Sequence, residues 1–212
     1  MATTRRVYGG IDGDRRAAER RDKLLAAGLD MLGSTEPNPT LTVRGVCRQA
    51  GLVARYFYES FDDGDALVVA VYNEVIGEVV TTTLAALAKA GPDELQRLRV
   101  GLGTILDLIG DDPRKGRLLF NAAVTHPALA KKRLETARMF GGLLAEQSQS
   151  FYRIGASGAL QTVSRFLVGG LGETLTAWLH GDVEMTRDEL IDLCAGIFQS
   201  SARLVTSGKT QN

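Results

Sequence analysis

Apolar residues recur along most of this chain at three- and four-residue intervals, the spacing of one helix face. Leu24, Leu25, Leu29 and Leu32 follow it from Arg15 onward and predict a helix ending near Gly33. The stretch "STEPNPT", with two prolines, reads as a loop. Two short helices are expected next. Val43 to Ala50 turns Val46 and Cys47 inward, and Ala54 to Ser60 is anchored by Phe57 and, just beyond it, Phe61. Gly51 sits between them, where a tight turn needs a left-handed or closely packed backbone. Leu67, Val71, Val75 and Val79 then mark one stripe of a long helix. Pro92, Pro113 and Pro127 read as first-turn prolines that start three more helices. The last two helices are the clearest: Leu160, Val163, Leu167, Leu171, Leu175 and Trp178 align on one, and Leu190, Cys194, Ile197, Ser201 and Leu204 on the other. Thr186 and Glu189 have the spacing of a capping box. No strand alternation or repeat interrupts this pattern, so the expected fold is all-α with about nine helices.

Composition narrows the class without choosing it. The chain has 212 residues, 44% apolar and 24% charged, with a formal net charge of zero. A nucleic-acid site must therefore come from local charge placement. Residues 1–61 carry ten Lys and Arg against seven Asp and Glu, so the remainder is slightly acidic. The two cysteines, Cys47 and Cys194, are far apart and belong to no metal-ligand spacing, which argues against zinc and disulfides and fits a reducing cytoplasm. The N-terminus lacks the apolar core of a signal peptide. Apolar runs are broken by Gly, Thr and charged residues before roughly 18 positions, so no membrane span is expected. Two histidines and the absence of a nucleophile elbow, phosphate-binding loop, zinc-protease or dinucleotide motif argue against an enzyme, and no cofactor or metal is expected.

Two short helices about a glycine turn form a helix-turn-helix, whose second helix can enter the major groove of DNA. Thr42 is a good N-cap for the first. The outer face of the second offers Arg55, Tyr56 and Tyr58, while Arg44 and Arg48 lie near the same surface. An arginine can grip guanine O6 and N7, and a tyrosine hydroxyl can reach phosphate. Helix pairs of this kind also occur in proteins that never touch DNA, so the pattern alone leaves both readings open.

The stretch "TVRGVCRQAGLVARYFYESF", Thr42 to Phe61, followed by "DDGDALVVAVYNEV", resembles the N-terminal domain of the tetracycline-repressor (TetR) family of bacterial regulators. The resemblance is carried by the Thr-Val-Arg opening, the Ala-Gly before the turn, Tyr58, Phe61 and Ala66-Leu67; "RRDKLLAAGLDMLG" upstream is similar to that family's first helix. It covers roughly residues 15–75. It implies a transcriptional regulator, most often a repressor released from double-stranded operator DNA by a small-molecule effector, with DNA contacts at Thr42, Arg44, Ala54, Arg55, Tyr56 and Tyr58. Three departures stand out. Asp62, Asp63 and Asp65 occupy the stretch where the family usually has a phosphate-contacting lysine, although Asp63 can cap the next helix. Val53 stands where a capping Ser or Thr is common. Gly45 lies inside the first short helix at a cost of about 1 kcal/mol relative to Ala. The arginines and lysine of the arm and first helix (Arg5, Arg6, Arg15, Arg16, Arg20, Arg21 and Lys23) read equally as a solvated face or as reaching phosphates and the minor groove.

The resemblance divides the chain into an arm (1–14), a helix-turn-helix domain (15–65) and a ligand-binding and dimerisation domain (66–212). The apolar surface of the last two helices and the "GGLG" at 169–172 independently suggest a homodimeric four-helix interface. Leu167, Leu171, Leu175, Ile197, Phe198 and Leu204 are its candidate residues. Candidates for an effector pocket are Arg117, Asn121, His126, Tyr152, Arg165, Glu173 and Trp178, polar or aromatic groups on apolar helices. The alternative is a helical small-molecule-binding or carrier protein that does not bind DNA, motivated by the Asp62–Asp65 cluster. Neither reading places the protein in a membrane.

Overall fold

The computed structural model describes residues 10–35 and 41–207. Among them every regular element is a helix: α1 Gly10–Leu32, α2 Val43–Ala50, α3 Ala54–Tyr58, α4 Gly64–Lys89 and α5 Glu94–Asp111. Helix α6 begins as Pro113–Arg117, passes through a π-turn at Leu118–Ala122 and ends as Ala123–Thr125, followed by α7 Pro127–Tyr152, α8 Gly158–His180 and α9 Arg187–Ser207.

Side-chain caps start most of these helices. The carboxylates of Asp63 and Asp93 accept from the backbone N–H of Ala66 and Gln96, both at 2.7 Å. Asp112 accepts from Arg114 N and Ser157 from Leu160 N. At α9 the capping box closes as expected, with Thr186 N donating to Glu189 at 2.8 Å and Glu189 N to the Thr186 hydroxyl at 3.3 Å. Each satisfies orphan donors of a first turn. Pro113 and Pro127 stand at helix starts as the sequence suggests. Pro92 does not: it precedes the Asp93 cap, and the carboxylate starts α5. Helix α1 begins at Gly10, five residues before the expected start, so Asp14 and its neighbours belong to a helix rather than an arm. Arg5, Arg6 and most of the proline loop lie outside the described residues.

Two apolar clusters hold the bundle. The first joins Leu24, Val46, Phe57, Leu67, Val68 and Val71 from α1 to α4 and continues into Leu118 of α6 and Leu129 of α7. The second joins Leu102 and Leu106 of α5 to Leu175 of α8 and Leu190, Ile191 and Cys194 of α9. The split expected at residue 65 therefore cuts through continuous packing, because the start of α4 belongs to the same core as α1–α3. Helix α4 is also long and apolar enough, by length and composition alone, to cross a membrane. Its Gly and Thr positions lower the hydropathy less than the sequence reading assumed. Here Leu67, Val68, Val71, Tyr72, Val75 and Val79 of α4 are buried within the bundle.

The end of α1 is clamped to the start of α6. Arg114 bonds Asp30 and, at 2.7–2.8 Å, Asp112, and these hydrogen bonds hold the Asp112 carboxyl below the usual carboxylate range. The Arg117 guanidinium donates to the carbonyl of Gly33. A Cβ at Gly33 would lie 2.6 Å from the Arg114 carbonyl oxygen, so backbone meets backbone there. Gly33→Ala is expected to destabilise the protein by about 1–3 kcal/mol through this overlap. Equilibrium urea unfolding measures it, and an unchanged midpoint would mean that the clamp yields freely.

Candidate nucleic-acid interface and ligand cavity

Helices α2 and α3 are built as a helix-turn-helix from local chemistry. The Thr42 hydroxyl accepts from Gly45 N at 3.1 Å and caps α2. Gly51 closes it in the left-handed conformation at φ 66°, where a side chain would be strained, and its N–H bonds back to Arg48. Helix α3 has no side-chain cap, as Val53 implied, and is held instead by Phe57, fully buried, and Phe61. The cost assigned to Gly45 has a structural counterpart. A Cβ there would approach the capping hydroxyl to 2.9 Å and Met31 to 3.1 Å, so the glycine lets α2 lie close on α1.

The outward face carries Thr42, Arg44, Arg48, Ala54, Arg55 and Tyr58, all exposed; Tyr58 is 60% accessible with its ring edge against Phe57. Arg55 pairs with Glu59 at 3.2 Å in an i,i+4 bridge with the arginine side chain 85% exposed. Such a bridge is worth only about 0.3–0.5 kcal/mol, less than the about 1–3 kcal/mol by which a bidentate guanine contact discriminates. Arg55 is thus steadied without being locked. Tyr56 is half-buried under the Arg20 guanidinium, 4.3 Å from its ring centroid, and Arg20 reaches Glu59 at 3.3 Å. Arg21 lies over Phe61 at 5.0 Å. These two arginines, read from sequence equally as a solvated face or as reaching phosphates and the minor groove, tie α1 to α3 and to the Phe61 just beyond it. Asp63 is engaged as the α4 cap and Asp65 sits in the first turn of α4, where a negative charge is favourable.

A cavity of about 380 Å³ runs between α4, α5, α6, α7, α8 and α9. Its wall is mostly aliphatic and aromatic, including Ile76, Val79, Leu98, Phe120, Leu144 and Leu175, with Tyr72, Thr83, Arg133 and Tyr152 among its polar members. Burial pushes the Tyr72 phenol up, against a smaller opposing hydrogen bond from Thr136 and the field of Arg133. Only Tyr152 of the seven sequence candidates lines this cavity. Arg117 belongs to the clamp on Gly33, and the His126 ring accepts from Ala128 N to cap α7. The Trp178 indole donates to the Met185 carbonyl at 2.8 Å, closing the α8–α9 turn. Asn121, Arg165 and Glu173 are exposed. The signal that finds the cavity is the stripe Tyr72, Ile76, Val79, Val80, Thr83, Leu84 and Leu87 at helical spacing along α4, of which the stripe read from sequence (Leu67, Val71, Val75 and Val79) contains only Val79.

The expected interface residues also divide. Leu167 and Leu175 are buried within the protomer, Leu171 packs on the second cluster, and Leu171 and Phe198 line the cavity. These four point inward, because each lies on the side of its helix that covers the protomer's own core. The Leu204 side chain lies outside the described residues. Ile197 is 47% exposed, and Phe166 and Leu193 are the other large apolar side chains exposed on the outer sides of α8 and α9, with Phe166 at 78%; Leu179, at 37%, packs toward Gly116 of α6.

No family model matches the chain. Solved structures share its fold. A TetR-family regulator from Streptomyces coelicolor superposes with a TM-score of 0.70 at 18% identity, over 87% of this chain and 80% of that one. The regulator FadR from Bacillus subtilis, in complex with stearoyl-CoA, gives 0.68 at 16% identity over 85% and 98%. A TetR-family regulator from Marinobacter aquaeolei VT8 gives 0.59 at 19% identity over 89% and 97%. The chain has the all-α fold of these regulators.

Because Leu175 is 5% exposed, Leu175→Arg places a charge in the protomer's own core. It is expected to lower unfolding stability by roughly 3 kcal/mol or more. A well-folded variant by calorimetry would contradict this inward placement.

Proposed function

We propose that the chain is a TetR-family transcriptional regulator, a homodimer that binds double-stranded operator DNA through α2 and α3 and releases it when a small molecule enters the cavity. The observation that carries this reading is the exposed face of Arg44, Arg55 and Tyr58 on a capped helix pair whose inner face, Val46 and Phe57, is wholly buried. The shared fold of regulators supports it, as does FadR in complex with stearoyl-CoA, in which a chain of this fold holds a small molecule. Repression is the simplest outcome of such a dimer on a promoter. No catalytic activity belongs to this reading, and a DNA-bound regulator works in the cytoplasm, with α4 as a core helix rather than a span.

Arg55→Ala is expected to relax base preference at one position of each half-site, and Tyr58→Phe to weaken binding to all sequences alike with little change in stability. Selection of DNA by each purified variant, beside its melting curve, checks both. An unchanged consensus for Arg55→Ala removes its base-reading role, and intact affinity in Tyr58→Phe removes the phosphate contact.

The dimer is expected to form through the outward face of α8 and α9. A charge at Phe166 or Ile197 must then be desolvated twice by symmetry. Phe166→Asp and Ile197→Asp should give folded monomers with much weaker operator binding, since two linked readers exceed one by orders of magnitude. Sedimentation equilibrium decides it: variants that remain dimeric place the interface elsewhere.

A further inference from the structure

Buried polar groups in folded proteins find hydrogen-bond partners, and exceptions call for an explanation. Four buried side-chain polar atoms have no partner among the described residues, and two of them, the hydroxyls of Thr83 and Tyr152, belong to residues lining the cavity. Several of the cavity's other polar groups are occupied at home. Thr176 bonds the Gly172 carbonyl, and Glu94 accepts from Gln199 at 3.3 Å. Arg97 donates to the Leu87 carbonyl at 3.1 Å and closes the end of α4.

The two free hydroxyls fall toward one end. Helices α4 and α7 both start beside the first apolar cluster, through Leu67 and Leu129, and their Tyr72 and Thr136 both line the cavity. Thr83 lies eleven residues beyond Tyr72, and Tyr152 is the last residue of α7, so both sit far from the helix-turn-helix. Between them the wall follows α4 from Tyr72 to Leu87, about 22 Å at the helical rise. The cavity of about 380 Å³ is thus elongated along α4. The charges at the far end, Arg97 and Glu94, offset each other, whereas Arg133 stands exposed at the near end beside Tyr72.

We propose that the cavity takes a single unbranched aliphatic chain bearing an uncharged oxygen group, such as an alcohol or ketone, held between the Thr83 and Tyr152 hydroxyls. The chain runs along the aliphatic wall, and the oxygen supplies the partner that both hydroxyls lack. A carboxylate at that end would be desolvated without a net counter-charge. A compact fused-ring compound does not run the length of this wall. This assignment rests on the cavity being the effector site of the regulator proposed above.

Calorimetric titration of the purified protein with 1-dodecanol, dodecanoate and progesterone tests it, using wild type, Thr83→Val and Tyr152→Phe. Dodecanol is expected to bind tightest to wild type, and roughly five- to tenfold more weakly to each variant. The unliganded variants are expected to melt no lower than wild type, because each loses a buried hydroxyl that bonds nothing; a merely structural role would lower the midpoint. Failure of dodecanol to bind, equal binding by the variants, dodecanoate matching dodecanol, or progesterone matching it would each overturn the proposal. DNA selection with the same wild-type preparation keeps that failure apart from failure of the regulator reading, since DNA binding without dodecanol binding sinks only the ligand class.

Discussion

Leu67, Val68 and Val71 at the start of α4 are sealed into the cluster that Leu24, Val46 and Phe57 build beneath the helix-turn-helix. Helices of five and eight residues cannot hold themselves in water, and α3 lacks even a side-chain cap. Their orientation is therefore set by what lies under them, which is α4 and α1. The same α4 continues for four further turns and forms one wall of the cavity, from Tyr72 to Leu87. A single rigid element thus carries the packing surface of the helix-turn-helix at one end and cavity-lining side chains at the other.

A second route joins the two regions through α6. Its first turn grips the end of α1 through Arg114 with Asp30 and through Arg117 with the Gly33 carbonyl. Directly after that turn the helix widens into the π-turn Leu118–Ala122, whose Leu119 and Phe120 line the cavity. π-turns inside helices often mark functional positions. The end of α1 and the cavity are thus separated by one helical turn of α6, and Gly33 removes the side chain that would hold α1 away from it.

Much of the fold was legible because local signals agreed with the packing. Thr42, Gly51, Asp63 and the Thr186–Glu189 box place helix boundaries by hydrogen bonds made within three or four residues, and the apolar stripes give the inward faces. The cavity and the outward apolar face were not legible for one shared reason. Periodicity marks a side chain as apolar-facing, but not whether the neighbour is a core residue, a cavity or a second subunit. Leu171 and Phe198 face the cavity, Leu175 both the core and the cavity, and Ile197, one residue from Phe198, faces solvent. Trp178, His126 and Arg117 were singled out for their chemistry, and each serves a backbone group of a turn, cap or clamp. The π-turn left no signal in the sequence at all.

The central claim is that α2 and α3 read DNA as a symmetric pair. Selection of random double-stranded DNA by the purified protein at moderate salt tests it most directly. The account predicts enrichment of a palindrome whose half-sites are spaced by about one helical turn, roughly 10–10.5 base pairs, or a multiple of it, with affinity falling steeply as salt rises. Recovery of no enriched sequence at low or moderate salt would contradict it.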